Sequence, residues 1–142
     1  MESNKLTQSR ERRRRSNRRG AAAVEAAVCL PILLIFAFGT IESCNCIFTR
    51  QGLVVAAFEG ARVAIVPGAK RENVEAQINR ILEQRGIRGA TISLDPPVPT
   101  GLPSGSLVTV TVEAPASSNS TFRLSAFGSM RLRGSTTMMT EY

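Results

Sequence analysis

The longest apolar run of the chain lies near its N-terminus. From Ala21 to Ile41 the residues are apolar, apart from Glu25 and a few small polar residues. A membrane-spanning helix needs about 20 such residues, which at about 1.5 Å each cover the roughly 30 Å of hydrocarbon in a bilayer. The pattern therefore predicts a transmembrane helix over residues 21–42. Pro31 lies inside it, and we expect a kink or a loosened turn there, which membrane helices tolerate.

The helix is predicted to continue beyond the membrane over residues 43–66, because no proline intervenes before Pro67. Apolar residues recur there at spacings of three, four and seven, as they do on one helix face. These residues are Cys44, Ile47, Phe48, Val54, Val55, Phe58, Ala61 and Ile65. We expect the rest of the chain to cover this face, while Glu59 and Arg62 form a surface ion pair on the other side.

The remaining residues, 67–142, predict a small extracytoplasmic α+β domain. Residues 70–85 carry apolar positions at i, i+4, i+7 and i+8, which predicts a second, shorter helix, and Gly86 is suited to end it. Three segments are predicted to be strands, and the second is the clearest because valines alternate with polar residues. The segments are Ala90–Leu94, Leu107–Ala114 and Met130–Thr140.

These three strands are predicted to form one antiparallel sheet. A sheet of that size is stable when a helix covers one of its faces, and the outer half of the long helix is the candidate. Residues 115–121 are rich in Ser and Asn and are predicted to be a loop. The segment from Phe122 to Phe127 has no clear pattern, and no element is assigned to it.

Most of the net charge of +7 lies before the apolar run. Residues 1–20 contain eight of the 18 basic residues and two acidic ones, so this segment carries +6. Its composition predicts a disordered, solvated leader, and taken alone it could bind nucleic acid. Directly before a membrane span, however, basic residues mark the cytoplasmic side. We therefore predict membrane lipid, and not nucleic acid, as a partner.

Catalytic and metal-binding chemistry has little support in the sequence. The chain has no His, and its three cysteines, at positions 29, 44 and 46, form no zinc-binding pattern. The acidic residues outside the membrane show no paired spacing. No enzyme activity, metal or cofactor is predicted. Cys44 and Cys46 point to opposite sides of a helix and cannot pair within one chain, so they are either apolar fillers or form an intermolecular disulfide.

The junction between the leader and the apolar run carries the clearest functional signal. Gly20 has no side chain, so an enzyme can approach its backbone, and we expect it to interrupt the helix and leave an extended peptide for cleavage. Ala21 would then be the new N-terminus. Glu25 lies within the apolar span, where a carboxylate costs about 2.5–3.5 kcal/mol, which suggests pairing with the N-terminal amine of a neighbouring subunit. Alternatively, Glu25 reaches back to the headgroups.

Two other export signals fit less well. A secretory signal peptide has an apolar region of about 7–15 residues followed by an A-x-A-like site, and this span is longer and has no clear site after it. A lipoprotein signal would end at Cys44, but Glu42 near the cleavage point makes it a poor one.

Residues 18–66 contain a cleavage-site motif, a Leu-Pro pair, an F-G-x-x-E motif and a later E-G-A-R motif. The residues are Arg19-Gly20-Ala21-Ala22-Ala23-Val24-Glu25, Leu30-Pro31, Phe38-Gly39-Thr40-Ile41-Glu42 and Glu59-Gly60-Ala61-Arg62. Together these motifs resemble the TadE-like pseudopilins of the tight adherence (Tad/Flp) system. Ala26 departs from the resemblance, because the family often has Phe there.

The resemblance implies a type IV pilin-like fold and the role of a minor pilin or pseudopilin. A TadV-type prepilin peptidase would cut between Gly20 and Ala21, and the partners would be other Tad pilins or pseudopilins and the assembly platform. The protein would lie in the inner membrane, with its N-terminus in the cytoplasm, and act in assembly or initiation of adhesive pili. The alternative is an unprocessed single-pass membrane-anchored binding module, for which Gly20→Ala would change nothing.

Overall fold

The computed structural model describes residues 2–121 and 129–140, with side chains from Gly20 onward. The elements are α1 (Glu2–Ala64), α2 (Arg71–Gln84), β1 (Thr91–Asp95), β2 (Leu107–Pro115), α3 (Ala116–Asn119) and β3 (Arg131–Met139). The chain divides into two compact units, here called the N-terminal unit (Met1–Thr40) and the C-terminal unit (Ile41–Tyr142). The predicted α+β class, with a long N-terminal helix, a short helix and a three-stranded antiparallel sheet, is confirmed.

Helix α1 begins earlier than the sequence predicts. It starts at Glu2, so the prediction of a disordered leader is wrong for residues 2–20. The segment contains no proline, and its Arg, Lys, Gln and Glu residues are good helix formers whatever their net charge. Gly20 also lies inside the helix, so the predicted interruption there is wrong. One glycine costs only about 1 kcal/mol relative to alanine in a helix, and its neighbours outweigh that cost.

One helical segment in the described part of the chain is long and apolar enough to cross a membrane. It runs over Gly20–Ala64, and its most apolar window has a mean hydropathy of 2.4 with no residue buried inside the protein. The large apolar side chains of this window are accordingly exposed, Ile35 and Phe36 to about 70%. Pro31 lies within the helix. A single apolar N-terminal helix of this kind indicates a single-pass membrane anchor.

The C-terminal unit is built on a sheet with β2 in the centre. The strand order is β1-β2-β3 and both pairs are antiparallel, with Leu94 opposite Val110 and Val112 opposite Gly134. Alternate residues of β2 point into the core, as the valine pattern predicted. The buried residues of this strand are Val108, Val110, Val112 and Ala114. The outer part of α1 contributes to the same core cluster, which confirms that this helix covers the sheet.

The buried face of α1 differs from the predicted one. Small residues dominate it, and its buried glycines and apolar residues are Gly52, Leu53, Ala56, Ala57, Gly60, Ala61 and Ala64. Of the eight apolar residues predicted to face the core, only Ala61 is buried. Large side chains would hold the helix away from the sheet, whereas alanine and glycine let the two backbones approach closely. The sequence prediction gave weight to the large apolar residues, and these lie on the exposed face of the helix.

Gly134 shows how close this approach is. A Cβ atom placed there would clash with the backbone of α1 at Leu53 and Val54. Gly60 has a similar role toward α2, because its Cβ would lie 2.6 Å from the Cδ1 atom of Ile78. Gly134 and Gly60 thus allow α1 to pack closely against the sheet and against α2.

Helix α2 and its ending follow the prediction. Its four apolar residues, Val74, Ile78, Ile81 and Leu82, are all buried. After the helix, Gly86 adopts a φ of 66° and donates its N–H to the Glu83 carbonyl at 3.0 Å, while Ile87 donates to the Leu82 carbonyl at 2.9 Å. This pair of bonds is the Schellman ending, which favours glycine because an L side chain is strained at positive φ.

The three strands also agree with the prediction to within one residue at each end. Residues 116–119 form the short helix α3 where a loop was predicted. The segment from Phe122 to Phe127 lies outside the described residues. On the outer face of the sheet Glu113 forms ion pairs with Arg131 at 3.4 Å and Arg133 at 3.8 Å. The predicted pair of Glu59 and Arg62 is present at 3.5 Å.

Candidate functional site

The predicted cleavage motif lies in one exposed stretch of α1. Gly20, Ala21 and Glu25 are all exposed, and no atom lies within 4 Å of the place where a Gly20 Cβ would be. Ala21 and Glu25 are four positions apart, so they lie one turn from each other on the same helix face. Cleavage before Ala21 would therefore place a new amine one turn from this carboxylate. The roles of these three residues in cleavage and in subunit register stay predictions.

Glu42, by contrast, is completely buried. Its exposed fraction is 0%, and neither of its carboxylate oxygens has a hydrogen-bond partner in the part of the chain that the structure describes. It is the first residue of the buried face of α1, followed at helical spacing by Thr49 and Leu53. The sequence singled it out only as the last residue of the F-G-x-x-E motif. Its spacing from Leu53 could have shown that it shares the core-facing side of the helix.

Cys46 lies one turn after Glu42 and is partly buried. Burial raises the pKa of the Cys46 thiol, and the negative charge of Glu42 raises it further. Because the thiolate is the reactive form of cysteine, Cys46 is a weak nucleophile at neutral pH. Cys44 is exposed, and both residues are free.

Replacing Glu42 with glutamine is expected to stabilise the C-terminal unit. The substitution keeps the shape of the side chain and removes a charge that is buried without a partner among the described residues, a burial that costs several kcal/mol in proteins. We expect the free energy of unfolding to rise by about 1–3 kcal/mol. Denaturant unfolding of the detergent-solubilised protein measures this change.

Glu59→Gln is the matched control, since Glu59 is half-exposed on the same helix and its ion pair with Arg62 is a surface pair. Such pairs contribute about 0–1 kcal/mol, so the control should change stability little. A loss of stability in Glu42→Gln would contradict the prediction and would mean that the carboxylate has a stabilising partner in the folded protein.

An apolar strip remains uncovered on the outer part of α1. We define this outer stripe as Ile47, Phe48, Val54, Val55 and Phe58, which are between 37% and 67% exposed. A contiguous exposed apolar patch on a folded domain marks a surface that contacts another protein or a membrane. The outer stripe is the other side of the same helix whose small residues are buried against the sheet.

A long apolar N-terminal helix followed by a helix-covered antiparallel sheet defines an α+β protein with a single-pass membrane anchor. The family model of TadE-like proteins matches residues 20–62. This match confirms the predicted resemblance to TadE-like proteins over that part of the chain. Comparison with curated proteins and with solved structures gave no match.

The matched segment lies entirely within α1, and the sheet follows it. It contains Gly20, Glu25, Glu42 and all of the outer stripe. Proteins of this family are structural components, not enzymes. Within the described residues, no group of three or more His, Cys, Asp or Glu side chains could hold a metal ion.

Proposed function

We propose that the protein is a minor pilin or pseudopilin that a TadV-type prepilin peptidase cleaves between Gly20 and Ala21. The mature protein then acts in the assembly or initiation of Tad/Flp pili for adhesion. The observation that carries this proposal is the extent of the family match, which begins at Gly20 and leaves the basic leader outside it. The leader is cytoplasmic and the C-terminal unit extracytoplasmic, because basic residues flank the cytoplasmic end of membrane helices.

The local structure at Gly20 supports cleavage there. A peptidase needs access to the backbone, and the absence of a side chain together with the open space around the glycine provides it. Cleavage also requires local unwinding of α1, because a helical peptide bond is shielded by its own turn. Glycine favours this step, since it stabilises a helix by about 1 kcal/mol less than alanine does.

Glu25 acts after cleavage in this proposal. In the apolar span its carboxylate has no water to solvate it, so an amine from a neighbouring subunit stabilises it. The new N-terminus at Ala21 supplies such an amine in each processed subunit. Pairing between the amine of one subunit and Glu25 of the next sets the axial offset between their helices.

The outer stripe supplies the second contact with other Tad pilus proteins. Its exposed Phe48 and Phe58 side chains belong to the part of α1 that lies outside the predicted span. Aromatic side chains buried between proteins contribute strongly to association. We assign this surface to other Tad pilins or pseudopilins and to the assembly platform.

The N-terminal sequence of the protein purified from membranes of its own host tests the proposal. We expect the mature chain to start at Ala21, and we expect Gly20→Leu to keep the leader, because its side chain occupies the space that the peptidase needs. An intact leader on the unaltered protein would overturn the proposal in favour of an unprocessed anchored module. A start at Cys44 would indicate a lipoprotein.

A further inference from the structure

The C-terminal unit contains a cavity of about 420 Å³ with a basic lining. Three separate segments form it: the start of the outer part of α1, the turn after α2 and helix α3. Arg85 and Arg88 supply its charge, Ser118 and Asn45 supply polar groups, and Phe48 supplies an apolar wall. None of the residues that line it is acidic.

The two arginines have no counter-ion among the described residues, where the ion pairs involve Arg62, Arg71, Arg131 and Arg133. Arg85 is the C-cap residue of α2, where a positive charge is favoured by the helix dipole. That reason does not extend to Arg88, which lies beyond the helix. Two arginines that line one cavity without a carboxylate favour an anion over a cation there, and phosphate oxygens match the geometry of guanidinium donors.

Hydrogen bonds that do not involve the two arginine side chains fix the backbone around the cavity. Asn119 accepts a hydrogen bond from the Arg88 backbone N–H at 2.9 Å and donates to the Arg88 carbonyl at 3.1 Å. Asn45 donates to the Thr121 hydroxyl at 2.5 Å, which ties the end of this segment to α1. The backbone is therefore fixed, and the arginine side chains remain available to a ligand.

The place of the cavity along α1 identifies the source of the anion. Asn45 follows Ile41, the last residue of the apolar run, by four positions, which is about 6 Å along a helix. The headgroup layer on each side of a bilayer is about 5–8 Å thick. Ile47 and Phe48, 57% and 67% exposed, follow at about 9–11 Å from Ile41, next to the outer edge of this layer.

We propose that this cavity binds the phosphate of an anionic phospholipid headgroup, with Arg85 and Arg88 as its ligands. The lipid belongs to the membrane that anchors α1. This inference rests on the membrane anchor of the proposed function but not on removal of the leader. N-terminal sequencing tests leader removal and the measurement below tests lipid binding, so one proposal can be overturned without the other.

Native mass spectrometry of the full-length protein in detergent, with added phosphatidylglycerol or phosphatidylcholine, tests the proposal. We expect Arg85→Gln with Arg88→Gln to lower phosphatidylglycerol retention by about tenfold or more, since each basic residue at a lipid surface contributes measurably to binding. The matched control is Arg71→Gln with Arg80→Gln, two exposed α2 residues outside the cavity whose loss changes the net charge equally. The basic leader is present in every variant and contributes the same background.

Equal retention by the cavity variant and the control would overturn the proposal. Equal retention of the two lipids by the unaltered protein would overturn the assignment to an anionic lipid. Displacement by inorganic phosphate alone, without preference for phosphatidylglycerol, would assign the cavity to a free anion. The single variant Arg88→Gln keeps both backbone bonds to Asn119, so it gives a folded test if the double variant is unstable.

Discussion

Replacing Gly134 with alanine is expected to destabilise the C-terminal unit by about 3 kcal/mol or more, the upper range for overpacking a core. The new Cβ would clash with backbone atoms of Leu53 and Val54. Backbone in a helix cannot rotate away as a side chain can, so strand β3 and α1 would have to separate. That separation would open the core along its whole length. Thermal unfolding of the detergent-solubilised protein, together with limited proteolysis, measures the loss.

Gly52→Ala is the matched control, because it adds the same methyl group to the buried face of α1. Its Cβ would meet the side chains of Ile87 and Arg85, which can move, and alanine favours the helix by about 1 kcal/mol. We expect its stability to stay within about 1 kcal/mol of the unaltered protein. If Gly134→Ala were equally well tolerated, the close contact between β3 and α1 would be disproved.

Glu25→Gln is expected to abolish most pilus-dependent adhesion while leaving membrane insertion and leader removal unchanged. Glutamine is similar in shape but cannot form an ion pair with the amine of a neighbouring subunit. Losing a pairing worth only about 1.4 kcal/mol lowers an association constant tenfold, so adhesion should fall by about tenfold or more. Surface adhesion counts and the N-terminal sequence of the variant measure the two parts of this expectation.

Cys29→Ala is the control for this variant, since Cys29 lies one turn further along the same face of α1 and carries no charge. It should leave adhesion unchanged. Normal adhesion of Glu25→Gln would favour the alternative in which Glu25 only reaches back to the headgroups. A variant that retained its leader would show that Glu25 takes part in cleavage instead.

The α2 helix and the strands were predictable because their signals are local. Alternating valines mark β2, and Gly86 marks the end of α2 at a position where positive φ requires it. The buried face of α1 was not predictable from apolar residues alone, because Ala and Gly carry the contact. Gly134 inside a strand was the available signal, since glycine there often marks a close backbone approach.

The candidate sites likewise differ in whether a local sequence signal identifies them. The motif from Gly20 to Glu25 is contiguous, so the sequence alone identified it. The arginine-lined cavity joins Asn45, Arg88 and Ser118, which lie far apart in the chain, and no local pattern connects them. Glu42 belongs to both groups: its position in a motif was visible, whereas its complete burial depends on the tertiary structure.

The contact between Leu53 and Gly134 also bears on the order in which the protein folds. The two residues are about 80 positions apart. At a synthesis rate of about 5–20 residues per second, the small-residue face of α1 exists for roughly 4–16 s before its strand has been made. Sheet β1-β2-β3 is a simple meander with local contacts that form quickly. The core can therefore close only after the last strand has been made, and until then the small-residue face of α1 lacks its cover.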